Sequence, residues 1–206
     1  MQWNIGRAGL ASAVMAMGLG YAALGTTAPP DPKVERLASE TCGGCHGADG
    51  NSAVPEFPKL AGQQQVYLQR ELADYKEARR QNDIMAPMAA SLSEDDMAKL
   101  AAYYAAQKPA VGTVSKPDLL ALGKRIYLEG NTKSGVPSCD GCHEENGEGS
   151  KKFPRLAGQH VAYTLDQIAQ YASGKRSNGV RVMRTIAERL TKEEAEAVAE
   201  YTASLK

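Results

Sequence analysis

Two stretches of this chain carry thiols and an imidazole at fixed spacing: Cys42-Gly43-Gly44-Cys45-His46 and Cys139-Asp140-Gly141-Cys142-His143. Thiols three residues apart on one helical turn can add to the two vinyl groups of a haem, and the imidazole that follows then reaches the iron. Other uses of four cysteines fit less well. A zinc site needs further Cys or His ligands, and only His160 is left once the motif histidines are assigned. A redox dithiol has no use for the following histidine, and neither does a structural disulfide. The spacing therefore predicts covalent attachment of two haem c groups at Cys42, Cys45, Cys139 and Cys142, with His46 and His143 on the iron.

The motifs belong to a longer repeat. Phe57-Pro58-Lys59-Leu60-Ala61-Gly62-Gln63 is matched by Phe153-Pro154-Arg155-Leu156-Ala157-Gly158-Gln159, and Tyr67, Tyr75 and Arg80 are matched in register by Tyr163, Tyr171 and Arg176. Near each end, Ser93 to Asp96 and Thr191 to Glu194 set a hydroxyl three residues before an acid, the pattern that caps a helix start. Two homologous domains follow, at 29–112 and 113–206, joined by residues 108–116, KPAVGTVSK, of linker composition. Each half reads as helical. Asp31-Pro32 and Pro117 are helix starts, Leu68, Leu72 and Tyr75 share a face, and Met97, Leu100, Ala101 and Tyr104 repeat the stripe. No alternating strand pattern interrupts them. Long apolar runs are few, so each all-α domain needs something besides side chains at its centre.

Twenty-four basic and twenty-four acidic side chains in 206 residues cancel, which excludes a general nucleic-acid binder and a polybasic membrane surface. The charge is unevenly spread. Residues 29–112 hold nine Lys and Arg against twelve Asp and Glu, net −3, and residues 113–206 hold fourteen against twelve, net +2. Residues 1–28 stand apart: after Arg7 no charge occurs until Asp31. They read as an export signal, removed after Gly25, with an uncleaved N-terminal membrane anchor as the alternative. Either way the folded part is placed in the periplasm.

Over about residues 33–205 the chain resembles the dihaem cytochromes c of the c4 type, two class I cytochrome c domains in tandem. The carriers are both C-x-x-C-H motifs, FPKLAGQ and FPRLAGQ, the Met-to-LS and Met-to-LT segments and the closing AAYY and AEYT helices. The resemblance implies a His and a Met on each iron, with the carbonyls of Pro58 and Pro154 holding the ligating imidazoles. It also implies domains related by a pseudo-twofold axis, with haems facing each other across the interface. The function implied is electron transfer, not enzymatic turnover: a carrier between a quinol-oxidising cytochrome complex and a terminal oxidase.

Met183 is the only methionine after Met97, so a methionine ligand in the second domain has to be Met183. It precedes Leu190-Thr191 by the same seven residues that separate Met85 from Leu92-Ser93. Met85 is thus its counterpart, and Met88, aligned with Ile186, is expected to pack near the haem. Pro87 would keep that loop extended. His160, whose counterpart is Gln64, is expected at the surface or at a helix start. Tyr67, Tyr75, Arg80, Tyr163, Tyr171 and Arg176 are candidates for packing on haem or bonding its propionates. The rival classes are a dihaem peroxidase, which needs a displaceable ligand, and the electron-accepting subunit of a dehydrogenase.

Overall fold

The computed structural model describes residues 1–2, 31–179 and 181–206. The expected leader or anchor and the cleavage after Gly25 lie outside them. Among the described residues no helix is long and apolar enough to cross a membrane.

Each half opens on a helix, runs through its C-x-x-C-H turn and closes on three further helices. In the first half α1 is Pro32–Arg36, continued without a break by a π-helical turn at Leu37–Cys42; α2 is Gly43–His46, α3 Gln65–Lys76, α4 Met85–Ala90 and α5 Glu94–Ala105. In the second half a 3₁₀ turn at Pro117–Leu119 leads into α6 at Leu120–Glu129, followed by α7 at Asp140–His143, α8 at Val161–Ala172, α9 at Arg181–Arg189 and α10 at Lys192–Ser204. The described residues contain no strand beyond a single bridge between Asn131 and Val136.

The expected starts are where the chemistry puts them. Asp31 accepts from the Lys33 N–H with Pro32 at the first helical position. Ser93 with Asp96, and Thr191 with Glu194, form reciprocal capping boxes that satisfy two orphan donors each. The stripe Met97, Leu100, Ala101 and Tyr104 is buried and joins Val34, Ala38, Leu68 and Leu92 in the first core. The second core is smaller: Ile126, Tyr127, Val136 and Val198. There α6 lies tight on α10. A Cβ at Gly123 would stand 2.0 Å from the Ala197 carbonyl oxygen, so only glycine allows that approach.

Residues 108–116 join the halves and are tied to both: Gly112 N–H donates to the Ala203 carbonyl, Ala110 N–H to Asn51 Oδ1, and Ser115 N–H to Glu200 Oε2. One expectation changes. The segment around Pro87 is helical, not extended. Pro87 sits in the first turn of α4, where a missing N–H removes no intrahelical bond, and Asn82 Oδ1 accepts from the Ile84 and Met85 N–H groups to start the turn.

Candidate functional site

The repeated Phe-Pro segments do two jobs. The first is to hold the motif histidines. His46 Nδ1 donates to the Pro58 carbonyl at 2.8 Å and His143 Nδ1 to the Pro154 carbonyl at 2.9 Å. Phe57 and Phe153 lie beside the same imidazoles, with ring centroids 6.4 and 6.0 Å away. Burial holds both imidazoles below their usual pKa range and outweighs the carbonyl bond. A neutral ring whose Nδ1 carries the proton leaves Nε2 with its lone pair, the form a metal requires. Burial also raises the Cys42 thiol and pushes Cys139 up to about 12, the opposite of an activated redox cysteine.

The second job was not legible beforehand. Gln63 Nε2 donates to the Arg155 carbonyl and its Oε1 accepts from the Arg155 N–H, at 2.9 and 2.7 Å. Gln159 makes the mirror pair with the backbone of Lys59, both at 3.0 Å. Gln64 reaches the Glu148 carbonyl, and His160, at the start of α8, reaches the Ser52 carbonyl at 2.9 Å. Contacts that repeat in both directions define a pseudo-twofold, self-complementary interface. Each domain thus grips the residue next to the proline that orients the other domain's histidine. The clue in the sequence was a glutamine recurring at the end of both copies of the Phe-Pro motif.

Replacing Gln63 or Gln159 by Ala should therefore leave two backbone groups of the other domain without partners, at about 1–3 kcal/mol each. Urea unfolding is expected to split from one transition into two, and a single unchanged transition would contradict the clamp.

One continuous cavity of about 900 Å³ runs through both halves. All four cysteines, both histidines, Met85 and Met183 line it. Met88 lines the cavity too, as expected of a residue beside the haem, but it is 45 % exposed, while Met85 is half-buried at the start of α4 and Met183 half-buried on α9. Tyr67, Tyr75, Arg80, Tyr163, Tyr171 and Arg176 all line the cavity and meet between the domains. Arg80 stacks on Tyr75 and Arg176 on Tyr171, with the guanidinium 4.7 and 4.6 Å from the ring. Tyr67 OH and Tyr163 OH accept from the arginine of the other domain.

The donor set suits a haem in each half: thiols for its vinyl groups, neutral imidazoles and thioethers for its iron, and buried guanidinium groups for its carboxylates. Among the described residues, Arg155 Nε is the one buried side-chain nitrogen or oxygen without a partner, and Arg155 also lines the cavity.

The Cytochrome c family model matches residues 33–107 and 120–206, one copy over each half. The cytochrome c4 of Pseudomonas aeruginosa is 38 % identical over 179 residues, covering 85 % of this chain and 89 % of the relative. The chain belongs to the cytochrome c4 family. The crystal structure of reduced recombinant cytochrome c4 from Pseudomonas stutzeri superposes with a TM-score of 0.80 at 37 % identity, over 86 % of this chain and 100 % of that one. A thiosulfate dehydrogenase electron acceptor from Thiomonas intermedia is 34 % identical over 182 residues, 86 % of this chain and 81 % of the relative. As a member of the c4 family the protein is an electron carrier with two haem c groups, one in each cytochrome c domain, and it is not an enzyme.

Proposed function

We propose that this c4-type cytochrome works in the periplasm, carrying electrons in a respiratory chain from a quinol-oxidising cytochrome complex to a terminal oxidase. In this reading Cys42 and Cys45 hold one haem and Cys139 and Cys142 the other. His46 with Met85, and His143 with Met183, are the axial pairs, and the domains run over residues 29–112 and 113–206. The observation that carries the assignment is the pair of imidazole–carbonyl bonds, His46 to Pro58 and His143 to Pro154, on a cavity that Met85 and Met183 also line.

Bound haem supplies a reversible one-electron ferric/ferrous couple. The chain's own residues decide how it is used. The Pro58 and Pro154 carbonyls fix each ring's tautomer and raise its basicity. The Met85 and Met183 thioethers, as neutral ligands, would favour the ferrous state and raise the potential. With a histidine and a methionine from each half both held by the iron, no position would be left for oxygen or peroxide, which would set this protein apart from a dihaem peroxidase. The −3 and +2 halves would steer partners to different ends, with association rates that fall as salt rises.

A second reading has specific support: the Thiomonas relative is an electron acceptor of thiosulfate dehydrogenase. Two assays on the purified, doubly loaded protein discriminate. Reduction by quinol with membranes of the source organism, followed by reoxidation through a terminal oxidase, is expected. Failure of that relay together with fast reduction by a thiosulfate dehydrogenase would replace the first reading by the second.

A further inference from the structure

The internal repeat is broken where α3 carries buried carboxylates at the interface. Residues 67, 75 and 80 recur in kind at 163, 171 and 176, whereas Glu71 of α3 becomes Gln167 of α8. Both are buried, and both hold the same two arginines. Glu71 Oε2 accepts from Arg80 Nη1 at 2.6 Å and lies 3.2 Å from Arg176 Nη2. Gln167 Oε1 accepts from Arg80 Nη2 at 2.6 Å and from Arg176 Nη1 at 2.7 Å. The hydrogen bonding is close to twofold symmetric, and the charge is not. The next carboxylate, Asp74, is also on α3 and buried, where its counterpart on α8 is Gln170. Asp74 accepts from Arg79 Nε and Asn178 Nδ2, and Asn178 Nδ2 donates to Glu71 as well. The carboxylate of α8, Asp166, bonds Gln167 Nε2 and also lines the cavity, and its first-domain counterpart is Arg70, 3.7 Å from Glu71 Oε1; both Asp166 and Arg70 are exposed, so water screens them where it does not screen Glu71.

We propose that Glu71 makes the two haem sites unequal, lowering the reduction potential of the first-domain site relative to the second. A negative charge favours the more positive, ferric state, and it acts strongly where water is excluded. Glu71 lines the haem cavity, and its helix packs against α4, which begins at Met85. The second domain has a neutral amide of the same shape at the equivalent place. Glu71 is thus a positioning residue for charge: it touches the arginines between the haem sites and need touch no iron ligand.

The inference rests on the haem sites assigned above, and the two can fail separately. The test uses E71Q, Q167E and the double exchange E71Q/Q167E, which keeps total charge and hydrogen-bonding shape while moving the carboxylate across the axis. Haem content is measured first: fewer than two per chain would refute the sites. The two potentials are then read by optical redox titration, the first-domain step being the one that Met85→Ala displaces. In the double exchange the equilibrium constant for sharing one electron between the sites should move about tenfold toward the first domain, which is about 59 mV in the separation. If E71Q is too unstable to purify, Q167E carries the test alone by lowering the second-domain step. An unchanged separation in the double exchange, or E71Q moving both steps equally, overturns the proposal.

Discussion

In Met183→Ala, about half of the Met-to-iron charge-transfer absorbance of the oxidised protein is lost and one of its two redox steps moves to lower potential. Met85→Ala does the same to the other step. Met88→Ala leaves both bands in place. The reason for the last is exposure as much as register: Met88 lines the cavity but is 45 % exposed, whereas Met85 and Met183 are half-buried and stand at the same distance before Leu92-Ser93 and Leu190-Thr191. Loss of a thioether removes the ligand that favours ferrous iron, so a shift of at least about tenfold in the ferric/ferrous ratio at fixed potential is expected, about 59 mV for one electron. Visible spectra and redox titrations of the three variants measure it. A band lost in Met88→Ala and kept in Met85→Ala would reverse the assignment in the first domain.

Replacing Cys139 and Cys142 together by Ala should lower covalently bound haem from two groups per chain to one, read by mass and by pyridine haemochrome absorbance. The structural cost should be large. The second domain's buried cluster is Ile126, Tyr127, Val136 and Val198, and the larger side chains around it, Leu122, Leu156, Ile186, Leu190 and Tyr201 among them, are only partly buried against it without the group in their midst. Proteolysis is expected to cut within residues 120–206 first. The first domain should suffer as well, because Gln63 loses the Arg155 backbone it grips and the amides left behind cost about 1–3 kcal/mol each where they stay buried. A doubly substituted protein that melts like the parent would show that the domains fold independently of their haems.

Much of the site was legible because it is written in local spacing. C-x-x-C-H needs only one helical turn to bring its thiols and imidazole together, and the Pro58 and Pro154 carbonyls lie where the resemblance places them. The capping boxes at Ser93 and Thr191 are local for the same reason. Pro87 was misjudged because a proline that forbids helix in one position is welcome in the first turn of another. KPAVGTVSK carries no local signal of the partners it finds at Asn51, Glu200 and Ala203.

The sequence by itself determined the two C-x-x-C-H motifs, the twofold repeat and the register that pairs Met85 with Met183, since all of these are properties of order along one chain. Only the tertiary structure decided what the repeated Gln63, Gln159, Tyr67, Tyr163, Arg80 and Arg176 are for. Their partners lie 83 to 109 residues away in the other domain, and a hydrogen bond depends on distance in space, which residue order does not encode until the two halves are packed face to face. The same packing turns the exchange of Glu71 for Gln167, unremarked in a comparison of repeats, into a buried charge on one side of a symmetric interface.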